Sequence, residues 1–143
     1  MPLVTSKELF AKAYKGKYAI GAFNVDNVDI MKAVLKAAEQ TKSPVIIAIS
    51  SGALGFIGKE FVKNTIDDAM KTITVPVVLH LDHGKSASLC KECVDIGFTS
   101  VMIDASAYDF EKNIEITKEV VEYAHTRGVV VESELGAIAG IEE

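Results

Sequence analysis

The stretch Val77-Val78-Leu79-His80-Leu81-Asp82-His83-Gly84 decides how this chain folds. Its unbroken apolar run suits a strand covered on both faces, as in a parallel sheet. The run drives into a carboxylate, an imidazole and then a glycine that lets the chain turn sharply away. Chemistry in parallel α/β folds is carried out at the carboxyl ends of the strands. Asp82 beside His83 therefore reads as the edge of an active site. The bland counterpart is an Asp82 that caps the next helix and a His83 in an ordinary loop, and a motif this short leaves both open.

Outward from that run, similar β-rich segments recur at 18–23, 45–49, 100–103 and 129–131, with the central one spanning 75–81. Their starts lie about 25 to 30 residues apart, the length of one βα unit. Helical patterns fill the gaps. The spacing predicts helices over 28–40 with Asn27 as N-cap, 59–71, 86–96 ending at Gly97, and 110–127 with Asp109 as N-cap and Gly128 as the stop. Their inner stripes read as Ile30, Val34, Ala37 and Ala38; Phe61, Val62, Ile66 and Ala69; and Ile114, Thr117, Val121 and Ala124. Ahead of the first strand, Thr5-Ser6-Lys7-Glu8 has the spacing of a capping box and opens a short helix ending near Gly16. A helix placed there can plug the bottom of a closed barrel.

Alternating strands and helices with short connections imply a parallel sheet with right-handed crossovers. An open doubly wound sheet and a (β/α)8 barrel compete. The strands finish in Asn24, Ser50, Asp82-His83, Asp104-Ala105-Ser106 and Glu132-Ser133-Glu134. A barrel gathers such groups on one shared face, whereas an open sheet spreads them along a row. No glycine-rich nucleotide fingerprint follows the first strand. The expected fold is therefore an α/β (β/α)8 TIM barrel. The chain would supply its first five strands and four intervening helices, with residues 1–143 forming the N-terminal part of a single barrel. A closed barrel needs roughly 250 residues, so a larger protein is expected. Ile20, Ile47 and Val101 are candidates for the barrel interior.

Composition bounds the function. A hydrophobic content of 49% excludes a disordered chain, and no apolar segment is long enough to span a bilayer. The net charge of -5, without a basic run, argues against nucleic acid as a partner. No basic, then apolar, leader opens the sequence, which points to the cytoplasm and away from the membrane. Cys90 and Cys93 form a C-x-x-C in mid-helix with no second pair. They read as core residues, not as a zinc knuckle or a redox motif. Of the three histidines, His80 alternates with Leu79 and Leu81 and reads as packed or hydrogen-bonded, and His125 lies in a last helical turn.

At Gly21-Ala22-Phe23-Asn24-Val25, Ile49-Ser50-Ser51-Gly52-Ala53, His80-Leu81-Asp82-His83-Gly84, Ser100-Val101-Met102-Ile103-Asp104-Ala105-Ser106 and Glu132-Ser133-Glu134-Leu135-Gly136, the chain resembles class II, metal-dependent fructose-bisphosphate aldolases. Tagatose-bisphosphate aldolases, close relatives, look alike over the same motifs. The resemblance implies that Asp82 is the catalytic acid/base and His83 a ligand of the catalytic Zn2+. Asp104 and Glu134 would ligate a second or alternative metal position, which a divalent or monovalent cation would occupy. Ser50 and Asn24 would contact the substrate. Glu142, in the family's mobile loop, would exchange a proton with the triose phosphate.

The implied reaction is reversible cleavage of a ketose 1,6-bisphosphate, foremost fructose 1,6-bisphosphate, to dihydroxyacetone phosphate and glyceraldehyde 3-phosphate in glycolysis and gluconeogenesis. A homo-oligomer, dimer or tetramer, is implied as well. The chemistry is consistent with these residue types. Aldol cleavage without a Schiff-base lysine calls for a Lewis-acid metal and a carboxylate that shuttles the proton of the C4 hydroxyl. Imidazole and carboxylate donors suit zinc.

The family's other two zinc histidines and its glycine-rich phosphate segments have no match here, and the one arginine, Arg127, lies at the wrong end of its unit for a phosphate clamp. The chain alone is therefore expected to be inactive. The alternatives are a tagatose-bisphosphate aldolase, another (β/α)8 enzyme acting on a phosphorylated sugar, or a non-catalytic half-barrel that self-associates through open sheet edges.

Overall fold

A computed structural model describes residues 3–136 of the chain. It contains α1 (Ser6–Gly16), β1 (Gly21–Asn24), α2 (Val28–Thr41), β2 (Val45–Ser50), α3 (Ser51–Ile57), α4 (Lys59–Ala69), β3 (Val77–Gly84), α5 (Ala87–Ile96), β4 (Ser100–Asp104), α6 (Phe110–His125) and β5 (Val130–Glu134). The strands form one parallel sheet in the order β1-β2-β3-β4-β5. A doubly wound sheet reverses its strand order at a switch point, whereas a barrel adds each strand beside the last. The observed order is the barrel's.

Register divides the residues of the sheet between two layers. Val45, Ile47, Ile49, Val77, Leu79, Leu81, Val101 and Ile103 pack with Met31, Leu35, Val62, Ile66, Cys90, Cys93, Val120 and Ala124 into the core beneath the helices. Side chains alternate along a strand, so Ile20, Ala22, Ile46, Ala48, His80, Ser100, Val130 and Glu132 face the other way. They line an interior hollow of about 580 Å3 whose floor includes Ser6 and Phe10 of α1. Helix α1 thus lies where a barrel plug belongs. The assignment of Ile47 and Val101 to the barrel interior is corrected: both are fully buried on the helix side, and Ile46 and Ala48 take the inner positions. Ile20 does face inward.

Several local expectations shift for identifiable reasons. Asn27, Ser86 and Asp109 cap their helices by accepting from the backbone N–H of Ile30, Leu89 and Lys112. Thr5 makes no side-chain cap bond; the chain entering α1 is tied instead by the Val4 N–H donating to the Val77 carbonyl at 2.9 Å. Helix α3 lies where the sequence pattern assigns no helix, and it forms despite Gly52 and Gly55, which disfavour one. It forms because Ser50 caps it, accepting from the Ala53 N–H at 3.1 Å. The buried stripe of α2 is Met31, Leu35 and Ala38, leaving Ile30 exposed. In α6 it is Asn113, Val120 and Ala124, with Ile114 exposed. Asn113 is drawn inward by bonds its amide donates to the carbonyls of Ala105 at 2.9 Å and Glu134 at 2.7 Å. Phe61 of α4 is likewise exposed.

Cys90 and Cys93 are free and fully buried, and burial pushes each thiol up to about 12. Such thiols stay protonated at neutral pH and pack as small hydrophobes. No helix among the described residues is long and apolar enough to cross a membrane.

Candidate active site

Five strand ends deliver the polar groups. Asn24, Ser50, Asp82, Asp104 and Glu134 all fall on the inward parity, each as the last or nearly last residue of its strand. Ser50 pairs with Asp82 across β2 and β3, and Asp104 pairs with Glu134 across β4 and β5. The Asn24 amide donates to Asp82 Oδ2 at 3.3 Å. Asn24, Ser50, Asp82 and His83 line one open cavity of about 520 Å3.

His83 sits on the wrong parity for this face, and a bulge corrects it. β3 pairs regularly with β4 through His80–Ser100 and Leu81–Val101, and then Gly84 pairs with Ile103. Asp82 and His83 therefore oppose Met102 alone, two residues against one, which bends the strand and re-aims the extra side chain. His83 takes a left-handed backbone, φ 47°, a conformation costly for most side chains but visited by His, Asn and Asp. Its carbonyl accepts a hydrogen bond from the Ser51 hydroxyl at the start of α3.

The glycine that follows, read from the sequence as letting the chain turn sharply away, serves close approach. A Cβ at Gly84 would lie 2.6 Å from the Met102 carbonyl oxygen and 2.7 Å from Cys90 Sγ. Gly84→Ala is expected to cost about 1–3 kcal/mol through overpacking. Urea unfolding of the full-length protein measures it; an unchanged midpoint would show that β4 yields freely there.

The bulge brings together an imidazole and two carboxylates. His83 Nδ1–H donates to Asp104 Oδ2 at 2.9 Å and lies 3.7 Å from Glu134 Oε2. The donor direction follows because an ionised carboxylate only accepts. The hydrogen bond to Asp104 raises the His83 pKa above its usual value, against the downward pull of partial burial. Burial pushes the Asp104 carboxyl up, but bonds from His83 and from the Ser106 hydroxyl and N–H outweigh it, so its pKa is lowered. Asp104 is thus a carboxylate fixed on one oxygen by Ser106 and on the other by His83.

These three residues fit a divalent metal. One donor atom from each lies within 4.8 Å of the others. Donors around a tetrahedral zinc stand about 3.4 Å apart when bonds are about 2.1 Å long, close to the separations from Nδ1 found here. The N,O,O donor set is one zinc accepts.

Among residues proposed from sequence, then, His83, Asp104 and Glu134 converge, Asp82 and Asn24 touch, and Ser50 borders the same cavity. Glu142 lies outside the described residues. His80 is hydrogen-bonded to Ser100 inside the sheet, as expected of a packed histidine. Arg127 stacks on the Tyr123 ring at 3.7 Å beyond the far end of α6, away from the site. Ser51, Ser106 and Asn113, which hold the backbone or carboxylates of the site, were missed, as were Asp26, Phe56 and Lys85 on the cavity wall. Asn113 left a signal: a polar residue beside the apolar stripe of a helix.

The fold recurs in known proteins. The sequence model of class-II fructose-bisphosphate aldolase matches residues 4–143. A fructose-bisphosphate aldolase of Geobacillus stearothermophilus is 51% identical over the whole chain, which covers 51% of that protein. One from Giardia intestinalis is 48% identical, again over the whole chain and 45% of its own length. Among solved structures, the YdjI aldolase of Escherichia coli K12 superposes with a TM-score of 0.88 at 39% identity, over 99% of this chain and 54% of that one. Fructose-bisphosphate aldolase from Campylobacter jejuni gives 0.84 at 26% identity, over 94% of this chain and 47% of that one. The chain therefore spans about half the length of the relatives it matches, and its five-stranded sheet is part of a (β/α) barrel like theirs. With a family match over nearly its whole length and a relative 51% identical across all of it, the chain belongs to the class II fructose-bisphosphate aldolase family.

Proposed function

We propose that the full-length protein carrying this chain is a zinc-dependent aldolase that reversibly cleaves fructose 1,6-bisphosphate to dihydroxyacetone phosphate and glyceraldehyde 3-phosphate. The observation that carries this reading is the meeting of His83, Asp104 and Glu134 at one mouth, beside a carboxylate, Asp82, that is not part of the trio. His83, Asp104 and Glu134 would hold the metal. When bound, zinc supplies Lewis-acid stabilisation of the charge that develops on the substrate oxygens as the carbon-carbon bond breaks.

The remaining work belongs to the protein's own side chains. Asp82 takes the proton of the C4 hydroxyl; the C4–O bond becomes a carbonyl, the C3–C4 bond breaks, and its electron pair stays with the three-carbon fragment bearing C1 to C3. That fragment then receives a proton at C3, the step assigned to Glu142. The Asn24 amide, donating to Asp82 Oδ2, orients the carboxylate and leaves its other oxygen for the hydroxyl. The Ser50 hydroxyl borders the cavity with its oxygen engaged by the Ala53 N–H, so its proton is available to a substrate oxygen. Lys85, on the same wall, offers a cation to a substrate phosphate. The same reading makes the enzyme a cytoplasmic homo-oligomer of glycolysis and gluconeogenesis.

A coupled assay for triose phosphate release, run on the full-length protein, tests this. Cleavage of fructose 1,6-bisphosphate should disappear on dialysis against a chelator and return with zinc. Activity that survives complete metal removal would overturn the reading. A strong preference for tagatose 1,6-bisphosphate would reassign the substrate within the same chemistry.

A further inference from the structure

Directly beneath the mouth lies a second layer of polar side chains that the reaction does not use. His80, 7% exposed, occupies the inward position of β3 two residues before Asp82. Its Nδ1 is 2.8 Å from the hydroxyl of buried Ser100, its register partner on β4. Its Nε2 faces Glu132 Oε2 at 3.8 Å, and Glu132 stands two residues before Glu134 on β5. At 3.8 Å the imidazole and Glu132 form no hydrogen bond, but a carboxylate only accepts and therefore favours the tautomer with its proton on Nε2, in which the Ser100 hydroxyl donates to Nδ1. One side chain thus reaches across three strands. Ser100 starts β4, four residues before Asp104, in the buried part of the sheet. The trio's place in the fold is that of a support, not of a nucleophile.

Its location is what gives it a task. The β3–β4 ladder is regular at His80–Ser100 and Leu81–Val101, is interrupted at Asp82 and His83, which are opposed by Met102 alone, and resumes at Gly84–Ile103. On the β2 side these two residues are still held, by the Ser50–Asp82 pairing and by the Ser51 hydroxyl on the His83 carbonyl. Toward β4 and β5, where Asp104 and Glu134 stand, Asp82 has no regular pairing of its own: it is held through Leu81–Val101 before it and through Gly84–Ile103 and the His83–Asp104 hydrogen bond after it. A bulged strand end needs support from side chains if the site is to keep its spacing.

We propose that His80, linked to Ser100 and facing Glu132, is a positioning strut that sets the distance between Asp82 on β3 and the metal-binding carboxylates on β4 and β5. The proposal rests on reading the mouth as an aldolase site. Glu132 is the strut's far anchor, and neither residue touches substrate or metal.

The experiment uses the full-length protein and the variants His80→Leu, Glu132→Ala, Glu132→Gln and the double His80→Leu/Glu132→Ala. Both single truncations should lower kcat by about tenfold or more while KM stays within about twofold, since a misplaced proton-transfer group costs rate more than binding. Zinc affinity of the metal-free protein, read by competition with a chromogenic chelator, should fall by about tenfold in both, the lower end for residues supporting metal ligands. The double variant should be no worse than the poorer single, because cutting a strut twice changes nothing further. Glu132→Gln, which keeps an oxygen acceptor, should recover most of the rate.

Losses that add in the double variant overturn the proposal. So do an unchanged kcat in a variant with a lowered melting temperature, or a Glu132→Gln as poor as Glu132→Ala. The two readings fail separately. If Asp82 and His83 variants remain active, the aldolase reading falls while zinc affinity still reports on the strut; if they are inactive and His80→Leu is not, the strut alone falls.

Discussion

Asp82→Ala in the full-length protein is expected to lower kcat by a factor of about 10² to 10⁴, the range in which a positioned general acid-base group contributes. The size of the effect follows from geometry. Asp82 ends a strand with the Asn24 amide on one carboxylate oxygen, and its neighbour His83 belongs to the candidate metal cluster. Alanine leaves Asn24 without its partner and the C4 hydroxyl without a proton acceptor, but it removes no member of the trio of His83, Asp104 and Glu134. Zinc content should therefore stay near that of the wild type while turnover collapses. Asp82→Asn sharpens the test, because it keeps a side chain of the same shape that cannot take the proton. Steady-state kinetics and elemental analysis on the same samples measure both quantities. A variant that keeps more than half of the wild-type kcat would remove Asp82 from the mechanism, and one that loses zinc in step with rate would make it a ligand.

How far the site could be read in advance depends on the residue. Asn24, Ser50, Asp104 and Glu134 were legible because each ends a strand on a polar group, and the parallel register then places all four on one face. The barrel was legible for the same reason, with the sequential strand order as its structural counterpart. His83 is different. Alternation counted from Leu79 and Leu81 sends it toward the helices, and only the bulge and a φ of 47° bring it to Asp104. Nothing in a linear pattern announces one extra residue in a ladder. Ile47 and Val101 were misplaced because a strand buried on both faces reads as uniformly apolar, so its parity is invisible until the register is known. In α6 the stripe is displaced by about one residue because Asn113 turns inward for two backbone carbonyls, and a hydrophobic periodicity does not weigh such bonds. Helix α3 went unread because its glycines argue against it, while the cap that starts it is Ser50, a residue already assigned to the substrate.

His83 also carries the prediction in which stability and function part. A non-glycine residue in the left-handed region costs about 1–2 kcal/mol, and such strain persists at sites where function requires the conformation. His83→Gly removes that cost, offset by the about 0.5–1 kcal/mol entropic cost of glycine and by loss of the hydrogen bond to Asp104. The metal-free variant should thus unfold near the wild-type temperature. The same substitution deletes the imidazole that stands 2.9 Å from Asp104 and 3.7 Å from Glu134, one of the three donors of the cluster. Zinc affinity should fall by at least about tenfold and aldol cleavage with it, because a catalytic zinc site that loses one protein ligand is left incomplete. His83→Asn provides the control: asparagine tolerates the left-handed backbone but lacks the ring, so it should share the loss of zinc without a large change in stability. Calorimetry of the metal-free proteins and zinc analysis after dialysis read the two effects independently. Full zinc occupancy in either variant would show that the bulge serves another purpose, and a His83→Gly protein that melts well below wild type would show that the imidazole's hydrogen bond to Asp104, not the metal, is what the strained backbone secures.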